Sequence, residues 1–159
     1  AAAELADGSL DYPDDLLAEL DYTVCSIHSR FRLGKPEQTS RILRAMDHPA
    51  FTILGHATGR LLLKRTGYDI DLERIAKHAK EVGCYFEINA DPDRLDLSAD
   101  NVRQVTSVGV KIAICTDAHR VGGLDYIRCG IDVARRAGVE KRTVLNTMSW
   151  AKLRRALNR

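Results

Sequence analysis

The chain has 159 residues, about the size of one domain and long enough to bury a core. Hydrophobic residues make up 45% and charged residues 29%, a balance that excludes a disordered chain. The formal net charge of +2 is too small to argue for nucleic-acid binding by itself. No apolar stretch reaches the length of a membrane span, and no signal peptide is visible, so no membrane partner and a cytoplasmic location are expected. The cysteines Cys25, Cys84, Cys115 and Cys129 form no CxxC pair. A zinc ribbon is therefore not expected, and three of the four read as small core residues inside strands, in a reducing compartment.

Ala1-Ala2-Ala3 is open to more than one reading, as native helix or as a cloning scar. After the Tyr12-Pro13 turn, Asp14–Leu20 is expected as a short helix, and Tyr22–Ile27 as a strand. Pro36 suits the first turn of a helix running to Met46, with Ile42, Leu43 and Met46 on one face. Phe51–Leu54 is the next strand. Asp71–Val82 carries Leu72, Ile75, Ala76 and Ala79 at helical spacing, and Gly83 stops it. Cys84–Ile88 is a strand, Asp100–Val108 a helix stopped by Gly109, and Val110–Cys115 a strand. Leu124–Ala137 is expected as a helix ended by Gly138, followed by short helices over Val139–Thr147 and Trp150–Leu157, the last capped by Ser149. The basic residues of this stretch, among them Arg135, Arg136, Lys141, Arg142, Lys152, Arg154, Arg155 and Arg159, read as a solvated face. Strands alternating with helices imply a parallel sheet of right-handed β/α units, too few for a closed barrel: an open sheet or part of a barrel.

Chemistry concentrates at the strand ends. Val110–Cys115 runs into Thr116-Asp117-Ala118-His119; two other strands end at His28 and at Gly55-His56. Loops after the carboxyl ends of parallel strands converge, so these groups are expected together. A carboxylate with imidazoles is a donor set for a divalent metal such as manganese, zinc or iron.

The segments Asp7-Gly8-Ser9-Leu10-Asp11-Tyr12-Pro13, Ser26-Ile27-His28-Ser29, Gly55-His56-Ala57-Thr58-Gly59-Arg60-Leu61-Leu62, Glu87-Ile88-Asn89-Ala90, Arg94-Leu95-Asp96-Leu97 and Thr116-Asp117-Ala118-His119 follow one another in this order. Together they resemble the polymerase-and-histidinol-phosphatase (PHP) domain, most closely the one at the carboxyl end of bacterial family X DNA polymerases. The resemblance implies an α/β fold, the C-terminal part of a distorted (β/α)7 barrel, with residues 1–159 as a single partial PHP domain. It implies a cluster of up to three divalent ions, Mn2+ or Zn2+, and hydrolysis of phosphoesters: in the polymerases, 3′–5′ exonuclease and 3′-end processing in DNA repair. On this basis His28, His56, Asp117 and His119 are the expected metal ligands, with Asp117, His119 and Arg60 catalytic and Arg60, Arg94 and Asn89 binding substrate. The implied partners are DNA 3′ ends, the N-terminal half of the barrel and polymerase domains.

The chain also departs from the family. The early HxH motif and the acidic residue and histidine that follow it are absent, and the family's metal-binding glutamate falls at or just before Ala1, with Glu4 out of register. Ala57 stands where the family often has Pro. The expectation is a piece of a longer protein rather than a degenerate copy. A small-molecule phosphomonoesterase of the histidinol-phosphatase kind and a non-catalytic structural domain are the alternatives.

Several residues have a plain structural reading beside the functional one. Arg60 can lock its loop through a salt bridge, and Arg94 can pair with Asp96 or a neighbour. Asn89 can bond substrate or orient a ligand, while Glu87, inside its strand, suits a buried pair better than a metal bond. Ser29 and Thr58 suit local turn bonding. His48 and His78 are expected at the surface, and Trp150 as a packing anchor.

Overall fold

The computed structural model describes residues 2–4 and 7–157. Five strands form one sheet in chain order: β1 (Ala2–Glu4), β2 (Val24–Ile27), β3 (Ile53–Leu54), β4 (Tyr85–Asn89) and β5 (Ile112–Cys115). Every neighbouring pair is parallel. The four expected strands are present as β2 to β5, each shifted or trimmed by a residue or two. β1 is additional: Ala2–Glu4 is not a helix but a strand that pairs with Cys25, Ser26 and Ile27. Ala1, where the family's glutamate is expected, lies outside the described residues.

The helices are α1 (Asp14–Ala18), α2 (Lys35–Met46), α3 (Leu72–Val82), α4 (Ala99–Ser107), α5 (Ile127–Arg136) and α6 (Trp150–Leu157). The ends of α3 and the start of α4 follow from capping chemistry. The Asp71 side chain accepts the Arg74 amide at the start of α3, and Gly83 closes it at φ +75°. Ser98 accepts the Asn101 amide, which starts α4 one residue before the expected Asp100.

Side chains of consecutive strand residues point to opposite faces, and the two faces differ. On one, Cys25, Ile27, Leu54, Phe86, Ile88, Ile112 and Ile114 join the main core with Ile42, Met46, Ile75, Val105 and Val133 of the helices. On the other, the amino-terminal part is apolar: Ile53 and Ala113 pack with Val24, Tyr85, Leu145, Leu153 and Leu157. The Tyr85 hydroxyl donates to the Ala156 carbonyl at 2.8 Å, fixing α6 at that end. The carboxyl-terminal part of the same face carries buried Ser26, Glu87 and Asn89. This change from apolar to polar along one sheet face defines where the site lies.

Beyond β5 the structure departs from the expected helices. Leu124–Ala137 divides into a 3-10 segment, Val121–Tyr126, and α5. Val139–Thr147 is two 3-10 turns around an extended Val144, which pairs parallel with Ile112. The reason is the open edge of β5. Its outward backbone groups must be satisfied, and the Asn146 side chain does so at Ile114, accepting its N–H at 2.8 Å and donating to its carbonyl at 2.9 Å. Trp150 is not a packing anchor: it is 67% exposed on α6. His48 and His78 lie partly exposed at the surface, with ring nitrogens 3.1 Å from Asp14 and 2.8 Å from Asp47. Cys25 and Cys84 are buried and Cys115 and Cys129 half-buried, and none of the four is in a disulfide among the described residues. No helix among the described residues is long and apolar enough to cross a membrane.

Candidate functional site

His28 and His56 leave the carboxyl ends of β2 and β3 and meet edge to face, with ring centroids 5.1 Å apart at 89°. His56 is buried, and its Nδ1 has no hydrogen-bond partner. Its backbone is held at φ +27°, a conformation that L-residues with a Cβ resist. What holds it is Glu87, whose Oε2 accepts the His56 N–H at 2.7 Å. Gly55 makes the approach possible, because a Cβ there would stand 2.5 Å from Ser26 Oγ and 2.7 Å from Val24 Cγ1. Burial and then the nearby Arg94 guanidinium depress the basicity of both imidazoles, that of His56 to about 4. Both rings are therefore neutral at pH 7, the form that donates a lone pair to a cation.

Asp117, at φ +52°, is joined to this pair by a short chain of bonds. Asn89 Nδ2 donates to Glu87 Oε2 at 3.2 Å and to Asp117 Oδ2 at 3.1 Å. Arg94 Nε lies 3.4 Å from the same Asp117 oxygen. Arg94 pairs with Asp117, not Asp96, and its buried Nη1 has no partner. Arg60 donates Nε to the Arg94 carbonyl at 2.9 Å and Nη2 to the Leu95 carbonyl, contacts that lock its loop to the Arg94 segment. Fully buried Asp96 accepts the Thr58 N–H at 3.0 Å and its hydroxyl at 2.9 Å. Burial raises the Asp96 carboxyl, lifts Glu87 to about 7 and pushes the Cys115 thiol up to about 12. A thiol so placed is no nucleophile at neutral pH.

His119 is exposed, with Nδ1 2.7 Å from the Asp117 carbonyl oxygen. It lines a cavity of about 340 Å³ with Asp91, Asp93, Asp117, Arg120 and Tyr126. The structure thus brings His28 and His56 into contact and ties Asp117 to them through Asn89, Glu87 and Arg94, while His119 stands outside the pair. Among the described residues, no three His, Cys, Asp or Glu side chains converge closely enough to hold a metal ion. The donor set fits part of a divalent-metal site: two neutral imidazoles, one with an orphaned buried nitrogen, and a carboxylate already partnered by an amide and a guanidinium.

Sequence reasoning missed two supports of this arrangement. Glu87 makes no ion pair but positions the His56 peptide. The alternation Tyr85, Glu87, Asn89 along β4 was the available signal, since it places all three on one face. Arg41, fully buried in α2, donates to the Ser29 carbonyl at 3.0 Å and so steadies the loop after His28.

An all-parallel β/α sheet with imidazoles and a carboxylate at its strand ends belongs to the class of α/β proteins whose sites lie beyond the carboxyl edge of the sheet. No protein-family model matches the chain. Individual proteins do. The chain is 39% identical over 145 residues to the DNA polymerase/3′-5′ exonuclease PolX of Bacillus subtilis, covering 91% of this chain and 25% of that protein. It is 29% identical over 150 residues to a "Probable phosphatase" of Thermoanaerobacter sp. and 31% identical over 153 residues to one of Clostridium acetobutylicum. Both alignments cover 89% of this chain and 59% of the relative. The chain is homologous to PolX and to these PHP-family phosphatases, and its α/β architecture is consistent with part of a PHP barrel. It spans about a quarter of the length of PolX and about three fifths of that of the phosphatases.

Proposed function

We propose that this chain supplies part of a metal-dependent phosphoesterase site that trims DNA 3′ ends in a longer protein. The observation that carries this reading is the His28–His56 contact, with the orphaned His56 Nδ1, on strand ends tied to Asp117. His28, His56, Asp117 and His119 would hold the divalent ions, Mn2+ or Zn2+, with the remaining ligands coming from another part of the longer protein. When bound, such ions supply a water acidic enough to attack phosphorus near neutral pH, and charge to stabilise the leaving oxygen.

The chain's own residues do the rest. Glu87 and Asn89 fix the orientations of the His56 peptide and the Asp117 carboxylate. Arg94, its Nη1 buried and unpartnered, contacts a phosphoryl oxygen, and Arg60 holds the segment that presents it. The DNA substrate is argued from the similarity to PolX. The similarity to the phosphatases favours a second reading, a small-molecule phosphomonoesterase.

The test is metal content and digestion of a 5′-labelled oligonucleotide by the longer protein and its Asp117→Asn variant. Loss of both metal and 3′ digestion, with polymerisation retained, is expected. Unchanged digestion overturns the site. Hydrolysis of a phosphomonoester with none of DNA ends selects the second reading, and absence of metal throughout leaves a structural domain.

A further inference from the structure

The loop after β2 and the loop after β3 enclose an open pocket of about 630 Å³ that begins just past His28, lined by Arg30, Phe31, Arg32, Arg65 and Tyr68 among others. Its side chains include three arginines and no acid. None of the three makes an ion pair among the described residues.

The pocket is also built, not a chance of loose side chains. Arg65 donates Nε and Nη2 to the Gly59 carbonyl at 3.0 and 2.7 Å. Its guanidinium lies over the Phe31 ring, 4.1 Å from the centroid. Phe31 in turn stacks on Tyr68, with centroids 6.1 Å apart and planes 13° from parallel. The Tyr68 ring rests on Gly59, where a Cβ would stand 2.3 Å from it, and the Tyr68 amide donates to the Thr58 carbonyl at 2.9 Å. A guanidinium stacked on a ring keeps its in-plane N–H groups for an oxygen ligand, and Arg65 Nη1 has no protein partner among the described residues.

We propose that this pocket binds the phosphodiester backbone of a single-stranded nucleic acid, holding the strand whose terminal phosphate enters the neighbouring site. The inference rests on the phosphoesterase reading above and goes beyond it by separating a polymer from a small phosphate ester. Three cations on two neighbouring loops, with the aromatic pair setting the position of one of them, suit successive phosphates of a strand, more than one lone phosphate needs. The basic helix α6 with exposed Trp150 is the competing surface. It packs beside Tyr85 at the amino ends of the strands, the opposite end from His28 and His56.

The test is fluorescence anisotropy of a labelled oligothymidylate of about ten nucleotides with the full chain in EDTA, at low and moderate salt. Arg30 and Arg32 are exposed, so R30A/R32A keeps the fold, which circular dichroism verifies. Its affinity is expected to fall about tenfold, and the slope of log K against log salt to become shallower by about 1.4, or 0.7 per lost phosphate contact. The K152A/R154A variant is expected to bind like the wild type. Equal binding by R30A/R32A, loss only in K152A/R154A, or no binding by the wild type overturns the proposal. Hydrolysis of bis(p-nitrophenyl) phosphate by the longer wild-type protein with Mn2+ is read separately: its absence counts against the phosphoesterase site, while anisotropy in EDTA judges the pocket alone.

Discussion

Replacing Glu87 by Gln is expected to stabilise the fold above neutral pH and to leave it unchanged in acid. Glu87 is 3% exposed, and burial outweighs the three hydrogen bonds, from the His56 amide, Asn89 and Cys115, that favour its charge, so its carboxyl titrates at about 7 against an ordinary value of 4.5. Below pH 4.5 the group is protonated in both folded and unfolded chains and contributes nothing to the pH dependence. Between 4.5 and 7 the folded chain holds the proton more tightly, so stability falls as pH rises. Above 7 the full cost of a buried carboxylate is present, about 3 kcal/mol at about 1.36 kcal/mol per pH unit. Glutamine avoids this cost while keeping the geometry: the His56 amide and Asn89 Nδ2 both donate to one oxygen, Oε2, which a carboxamide oxygen can replace. Urea unfolding in EDTA at pH 4.5, 6, 7 and 8 measures the difference. The variant should match the wild type at pH 4.5 and exceed it by up to about 3 kcal/mol at pH 8. A difference that does not change with pH, or a variant less stable at pH 8, would refute the reasoning.

His56 should act with the opposite sign. Its imidazole is depressed from 6.5 to about 4, so its neutral form stabilises the fold above pH 6.5 and that contribution is lost as pH falls towards 4; the wild type should lose about 3 kcal/mol relative to His56→Gln across this window, measured by the same titration. Gly55→Ala should cost at least about 2 kcal/mol in urea unfolding, because the new methyl meets Ser26 Oγ and Val24 between adjacent strands; a neutral substitution would mean that the sheet yields there. Asn146→Ala should cost about 1–3 kcal/mol and speed hydrogen exchange at the Ile114 amide, since it leaves both edge groups without their partner; unchanged exchange would show that the edge is satisfied another way.

The parallel order of β2 to β5 and the helices between them were legible because each strand is a short apolar run and each helix carries a 3.6-residue stripe opened by a proline in α2 or a side-chain cap in α3 and α4. Such signals are local, and backbone geometry converts them directly into elements. What failed was also local in appearance but tertiary in cause. Val139–Thr147 has helical composition, yet the unsatisfied edge of β5 draws Val144 into a strand bridge and Asn146 into a side-chain clamp. Ala2–Glu4 carries no strand signature of its own and becomes one by pairing with β2. Trp150, the single indole of the chain, suggested an anchor, and only the packing of Leu153 and Leu157 beneath α6 turns it outward.

The same division holds at the site. The sequence by itself determined the residue types at the strand ends, His28, His56, Asp117 and His119, because strand termini and their order follow from local pattern. It could not determine that Glu87 holds the His56 peptide, that Asn89 bridges Glu87 to Asp117, or that Arg94 chooses Asp117 over Asp96. Nor could it bring Arg30, Arg32 and Arg65 around one aromatic stack. Those contacts join residues far apart in the chain, and their geometry depends on strand register and loop backbone within a few tenths of an ångström, which only the packed structure sets.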